Sequence, residues 1–316
     1  MELINLGKTD IQVTIIGIGT WAWGDKIFWN YGKQYGPDQV KEAFTAAIET
    51  GITFFDTAEV YGLGESEKLL GNFCQQISQP ISIATKYAPL PWRFSGSAVS
   101  DALTASLKRL QIETVTLYQV HWPFNFFMSQ ETLLNALADA VQAGKIKTVG
   151  VSNYSADQME QAQTILNKKD IPLAVNQVRY SLLSRQIESN GIKQKAQDLG
   201  VTILAYSPLE QGLLTGKYTP EMLTKPDGAR KADSRFTEKG LIKIEPVLTV
   251  LFNLAQKYQK TPAQIALNWL IAQGNVIPIP GAKNAQQARE NGGAAMWRLT
   301  PDEVNELEKV SRPWLV

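Results

Sequence analysis

Four side chains in this sequence can together carry out acid chemistry on a carbonyl: Asp56, Tyr61, Lys86 and His121. A phenol that titrates near pH ~10 donates its proton poorly at neutral pH unless its phenolate is stabilised. An ammonium beside it lowers that value, and Lys86 is the candidate. A lysine held in an apolar mouth tends to lose its own proton, so Asp56 is needed as the carboxylate that keeps it charged. His121 can then orient a carbonyl oxygen toward Tyr61 by donating a hydrogen bond. This chemistry needs no nucleophile and no metal. It lacks an electron pair, so a hydride donor must be bound. His121 is the only histidine and Cys74 the only cysteine. That excludes a multi-histidine metal site, a cysteine zinc site and an internal disulfide. Cys74 lies on an amphipathic stretch and reads as a core residue rather than a nucleophile.

Singly, each of the four has a plainer reading. Asp56 would cap a turn, Lys86 would be a surface charge and Tyr61 would pack the rim. The elements that carry them favour the chemical reading. Short β-rich runs fall at 15–18, 53–55, 81–85, 114–120, 148–151, 174–178, 202–205 and 276–279, after an opening segment (4–13) that reads as a hairpin. Helical periods lie between them at 38–50, 65–77, 99–110, 130–143, 156–166, 187–199, 245–272 (two helices) and 285–292. Ser155 and the Thr261-Pro262 pair have the residue types of helix caps, and Gly51, Gly144 and Gly200 those of helix ends. Apolar strands alternating with amphipathic helices imply parallel strands buried on both faces. Eight of them favour a closed (β/α)8 TIM barrel of the α/β class over an open sheet. The open alternative should carry a phosphate fingerprint in its first turn, but Gly17-Ile-Gly19-Thr-Trp-Ala-Trp-Gly24 does not keep the G-x-G-x-x-G spacing. No linker or low-complexity stretch interrupts the pattern, so residues 1–316 read as a single barrel domain with an N-terminal β-hairpin and long loops on its C-terminal face. In such a barrel, active-site residues sit at the C-terminal ends of strands, and Asp56, Tyr61, Lys86 and His121 all fall there.

The 316-residue chain is 44% hydrophobic and 19% charged, with a formal net charge of +1. It therefore carries no field that would hold nucleic acid or an anionic membrane. No window approaches a membrane-spanning apolar run. The opening residues have neither a basic leader nor an apolar signal core, so a cytoplasmic protein is expected. A plastid location would require a transit peptide removed from this sequence.

The run Gly51-Ile-Thr-Phe-Phe-Asp56-Thr-Ala-Glu-Val-Tyr61-Gly, together with Lys86 and with His121 inside Tyr118-Gln-Val-His-Trp-Pro123, closely resembles the aldo-keto reductase superfamily, in its long-loop bacterial and plastid branch. The resemblance covers nearly the whole chain. It implies NADPH-dependent reduction of an aldehyde or ketone, with Asp56, Tyr61, Lys86 and His121 as the catalytic tetrad. It places Ser152, Asn153 and Gln177 on the nicotinamide carboxamide and stacks Tyr206 on the nicotinamide ring. Ser207, Leu209 and Gly212 match the pyrophosphate cradle, and Lys217 matches a basic residue further along that loop. Gly281 and Lys283 match the 2′-phosphate site, and Gln287, Glu290 and Asn291 the adenine side. One departure stands out. Many members carry an NADPH-selecting arginine where this chain has Gln287, which leaves the phosphate to Lys283 with Arg230, Arg235 or Arg289 assisting. The charged stretch 211–241 reads as a loop by composition, and the resemblance makes it a belt over the cofactor.

Aromatics crowd the mouth, and Trp21, Trp23, Trp29, Tyr87 and Trp122 are the expected substrate-pocket wall, with Phe28, Tyr31, Trp92, Phe124, Phe126 and Phe127 nearby. Such a wall favours an apolar or aromatic carbonyl over a sugar, and the sequence does not choose further. Two other classes fit the residues less well. A cofactor-binding redox sensor resembling potassium-channel β subunits would not need the complete tetrad. A barrel hydrolase or aldolase would use paired carboxylates, a metal or a Schiff-base lysine, and Asp56 would keep Lys86 protonated and unreactive. A homo-oligomer is compatible with the resemblance, which spans monomers and larger assemblies.

Overall fold

The computed structural model describes residues 1–220, 226 and 228–315. The chain opens with the expected hairpin: β1 (Leu3–Asn5) pairs antiparallel with β2 (Gln12–Thr14). Its turn is pressed against the barrel. Gly7 has φ +57°, and a Cβ there would lie 2.6 Å from the Ala174 carbonyl oxygen, so only glycine satisfies both the left-handed backbone and the close approach. Leu6 and Val13 of the hairpin pack with the barrel interior and plug one end of it.

Among the described residues, eight parallel strands follow in chain order: β3 (Ile18–Gly19), β4 (Phe54–Asp56), β5 (Ser82–Tyr87), β6 (Val115–Val120), β7 (Ile146–Ser152), β8 (Leu173–Arg179), β9 (Thr202–Tyr206) and β10 (Val276–Pro278). The two outer strands meet. The Gly17 and Gly19 amides donate to the carbonyls of Pro278 and Pro280, each at 3.0 Å. A side chain at Gly19 would put Cβ 2.8 Å from the Ile279 carbonyl oxygen, so this glycine permits closure. The result is a closed (β/α)8 barrel, as the strand count predicts. Its interior is filled by alternate strand residues, Phe54, Ala84, Leu117, Val175, Leu204 and Ile277. The opposite faces pack against the helices in a second apolar layer. Burial on both sides explains why β6 is buried at every position.

The helices are α1 (Pro37–Glu49), α2 (Glu65–Cys74), α3 (Gly96–Leu110), α4 (Gln130–Gln142), α5 (Ala156–Asn167), α6 (Gln186–Ser189), α7 (Ile192–Leu199), α8 (Glu238–Tyr258), α9 (Pro262–Ile271), α10 (Ala285–Gly293) and α11 (Pro301–Val310). Ser155 and Thr261 cap as expected, their hydroxyls accepting from the amides of Gln158 and Gln264. Several boundaries differ from the sequence reading. The first barrel strand is reduced to Ile18–Gly19. The helix expected over 187–199 is two helices, broken where Gly191 turns left-handed at φ 83°. The helix α11, with a Thr300/Glu303 capping box, was not anticipated. The stretch 211–241 is not loop throughout. It holds 3₁₀ turns at Glu210–Thr215, Gly228–Ala232 and Ser234–Phe236 and the start of α8, while residues 221–225 and 227 lie outside the described residues. Among the described residues no helix is long and apolar enough to cross a membrane, and no cluster of His, Cys, Asp and Glu is placed to hold a metal ion.

Candidate active site

Period-two alternation decides what points into the barrel. On β4 the interior residues are Phe54 and then Asp56; on β5 they are Ala84 and then Lys86; on β6 they are Leu117 and then Gln119. The strands are in register so that Asp56 pairs with Ala84 and Lys86 with Gln119. A polar layer therefore caps the apolar interior at the C-terminal end of the sheet. Lys86 Nζ is fully buried and donates to Asp56 Oδ2 at 2.6 Å, the Thr57 carbonyl at 2.9 Å and Tyr61 Oη at 3.2 Å. Asp56 Oδ1 accepts from the amides of Gln119 at 3.0 Å and Gln177 at 2.8 Å. All three ammonium donors and both carboxylate oxygens thus have partners, which a buried ion pair requires.

Tyr61 comes from a 3₁₀ turn (Tyr61–Gly64) after β4. His121 lies just beyond β6, its amide donating to the Tyr87 carbonyl at 2.9 Å. The Trp122 indole lies flat on the His121 imidazole, with centroids 3.8 Å apart and planes 2° from parallel, and this holds the ring edge-on to Tyr61. Burial and then the Lys86 charge depress the His121 pKa to about 2, so the imidazole is neutral. His121 Nδ1 is buried without a partner.

Lys86 pulls the Tyr61 pKa down, as the sequence predicts, but the net direction is upward. Burial pushes the phenol up, Lys86 pulls it down through its charge and hydrogen bond, and Asp56 adds to the rise. Desolvation of the phenolate outweighs one ammonium whose charge is shared with Asp56. For Lys86, burial favours the neutral amine, but Asp56 and Tyr61 overcome it and its pKa is raised, so the residue is a cation.

A cavity of about 1100 Å³ opens from this layer. Asp56, Tyr61 and His121 border its near end, with Trp21 and Trp122 as aromatic wall; Trp29 lines the cavity further along, and Lys86 stands behind Asp56 and Tyr61 rather than on the surface. Ser152, Asn153, Gln177 and Tyr206 border the middle. Here Asn153 is held left-handed (φ 62°), and its side chain accepts from Tyr206 Oη at 3.0 Å. Ser207, Leu209, Gly212 and Lys217 form one bank beyond, and Gly281, Lys283, Gln287, Glu290 and Asn291 the other. Ser207, Gln211 and Gly212 all have positive φ, so this bank is a strained turn directly after β9.

Two expected wall residues lie elsewhere. Trp23 is fully buried among Phe55 and Phe73, with its indole donating to the Ala282 carbonyl at 2.8 Å. Tyr87 faces outward from β5 and lies under the Arg93 guanidinium, away from the main cavity. Of the three arginines considered for a phosphate, only Arg230 borders the cavity. Arg235 is bound to Glu210 and Asp233, and Arg289 pairs with Glu49. Gln287 accepts from the Lys283 amide at 2.8 Å, so it shapes the Lys283 turn. Lys283 Nζ sits 4.3 Å from the centre of the Trp29 ring, and the Arg230 guanidinium carbon lies 5.4 Å from it.

Gln119 and Gln177 grip the tetrad carboxylate, yet sequence reasoning gave no role to Gln119 and a different one to Gln177. The signal was present for Gln119: counting by two from the inward Leu117 puts an amide inside the barrel, where a polar group must find a partner.

A closed parallel barrel with an Asp–Lys–Tyr triad and a histidine at the head of a long cleft defines the class of molecule. The sequence model of the Aldo/keto reductase family matches residues 15–312. The chain belongs to that family. It is 38% identical over 314 residues to the chloroplastic pyridoxal reductase of Arabidopsis thaliana, covering 96% of this chain and 84% of the relative. The glycerol dehydrogenase of Gluconobacter oxydans superposes with a TM-score of 0.85 at 29% identity, covering 98% of this chain and 94% of that one. An aldo-keto reductase from Klebsiella pneumoniae in complex with NADPH gives 0.75 at 26%, covering 100% and 96%.

Proposed function

We propose that this protein is a single-domain NADPH-dependent carbonyl reductase in which Tyr61 protonates the carbonyl oxygen of an aldehyde or ketone. The observation that carries this reading is Lys86 Nζ bonded to both Asp56 and Tyr61 Oη at the head of a cavity large enough for a dinucleotide and a small substrate. As the phenol loses its proton to the substrate oxygen, negative charge develops on Oη, and the Lys86 ammonium is already in hydrogen-bond contact to stabilise it. Asp56, fixed by Gln119 and Gln177, keeps Lys86 protonated. His121, neutral and braced by Trp122, donates one hydrogen bond to the same carbonyl oxygen and holds it at Tyr61. Trp21 and Trp122 wall the reacting centre with apolar surface.

The residues present fit a phosphorylated dinucleotide. Among the described residues the cations bordering the cavity are Lys217, Arg230 and Lys283, set against Glu290 at the far end, which suits a polyanion. Tyr206 offers a ring for the nicotinamide, Ser152 and Asn153 its amide contacts, and Lys283 with Arg230 a place for the 2′-phosphate. When bound, NADPH supplies the hydrogen and electron pair that reduce the carbonyl carbon. The resemblance to pyridoxal reductase and the tryptophan wall make pyridoxal, a flat aromatic aldehyde, the first substrate to try.

Separate titrations of NADPH and NADH, followed by quenching of tryptophan fluorescence, test the cofactor site; NADPH should bind more tightly. Oxidation of NADPH is then followed with pyridoxal, benzaldehyde and a ketone. Binding of neither nucleotide would end the reductase reading, whereas binding without turnover of any carbonyl would favour a cofactor-sensing role.

A further inference from the structure

Tyr61 and Lys86 belong to different segments, and their 3.2 Å contact has to be set by something other than the two side chains. The loop that carries Tyr61 turns through left-handed backbone at Gly62, Leu63 and Gly64 with no side-chain cap hydrogen bond, and before Tyr61 it meets β5 at Thr57, whose amide donates to the Ala84 carbonyl. Two residues before Tyr61 stands Glu59, and two after Lys86 stands Ala88. Glu59 Oε1 accepts from the Ala88 amide at 2.7 Å and from Arg93 at 2.6 Å, while Oε2 accepts from the second guanidinium nitrogen at 2.9 Å. Arg93 also donates to the Ala88 carbonyl at 2.8 Å and lies 4.9 Å from the centre of the Tyr87 ring. The pair is largely buried, with 15% of the Arg93 side chain and 8% of Glu59 exposed. Neither residue borders the main cavity.

We infer that the Glu59–Arg93 pair is a positioning clamp that locks the Tyr61 loop to the end of β5 and so sets the Tyr61–Lys86 contact on which proton transfer depends. A surface salt bridge would add little, but this one is bidentate, shielded and tied to both backbone groups of Ala88. Its two ends flank the two tetrad residues that must stay in contact. A loop freed by loss of the clamp moves Oη away from Nζ, and misplacements near 1 Å at a reacting centre lower rates by up to about a hundredfold.

The inference rests on the reductase reading, and the test separates the two. Glu59→Gln and Arg93→Lys each remove part of the clamp without touching the cavity. Both should bind NADPH as the unaltered protein does, judged by fluorescence quenching, and keep KM within about threefold, while kcat falls between about tenfold and a hundredfold. The double variant should be little worse than either single one, as expected for partners in one interaction. The charged or polar groups facing Tyr61 are Lys86, Asp56, Tyr206 and His121. Of these Lys86 favours the phenolate, so weakening its contact should move the high-pH loss of kcat to still higher pH. The same shift should appear without turnover, in the fluorine NMR titration of Tyr61 in protein labelled with fluorotyrosine. Variants with lower melting temperature but unchanged kcat and unchanged Tyr61 titration would overturn the clamp and leave a structural ion pair. So would loss of NADPH binding, which would place the pair's action at the cavity. If the unaltered protein reduces no carbonyl, the functional reading fails, and the fluorine titration still decides whether the clamp controls Tyr61.

Discussion

The two ends of the cavity are built differently. At the reaction end, Asp56, Lys86 and Gln119 sit on adjacent strands, and barrel register, alternation and a closed hydrogen-bond network all specify the same positions. At the far end, Lys217, Arg230 and Lys283 come from loops, and two of them approach the same Trp29 ring. Strand ends hold a group against desolvation and displacement. Loops place charge at a rim, where solvent screens it and neighbouring cations can substitute for one another. The proposed proton transfer needs the first kind of site, and the proposed recognition of a phosphate tolerates the second.

Substitutions should follow that contrast in size. Tyr61→Phe removes one oxygen from the end that carries the proposed proton donor. It should reduce kcat by about 10²–10⁴-fold with NADPH quenching preserved; near-normal turnover would place the proton donor elsewhere. Next comes the response of His121 to acid. Its folded pKa, about 2, lies below the ordinary 6.5, so between those values the unfolded chain binds a proton that the folded chain excludes. The stability from this residue is thus complete above pH 6.5 and falls by about 1.4 kcal/mol per pH unit below it. Denaturant melts of the parent and of His121→Gln between pH 7 and pH 4.5 should converge as pH falls; parallel curves would show a histidine that protonates freely. Smallest should be Lys283→Ala at the screened end. It should weaken NADPH by about tenfold, an effect that shrinks in high salt, and leave NADH unchanged. Equal weakening of both nucleotides would remove Lys283 from 2′-phosphate recognition and would narrow the contrast between the ends.

Much of this was readable from residue order because barrels repeat. Eight apolar runs and their helices announce the fold, and the strand-end rule leads directly to Asp56, Lys86 and His121. What stayed hidden involved pairing between distant segments. The indole of Trp23 looks like a pocket wall in a run of aromatics, yet its nitrogen finds the Ala282 carbonyl and the ring is drawn into the core. Arg235, attractive as a phosphate ligand by its place in the charged stretch, is held by the buried Glu210.

The sequence by itself determined the strand and helix rhythm, the chemical types at the strand ends and the family, because each depends on local periodicity or on a motif that occupies neighbouring positions. Only the tertiary structure decided the direction of the Tyr61 shift, the gripping of Asp56 by Gln119 and Gln177, and the closure of Glu59 on Arg93. Each depends on burial and on distances between segments far apart in the chain. Free energies of desolvation and of charge-assisted hydrogen bonds change steeply over an ångström, a scale that residue order does not specify.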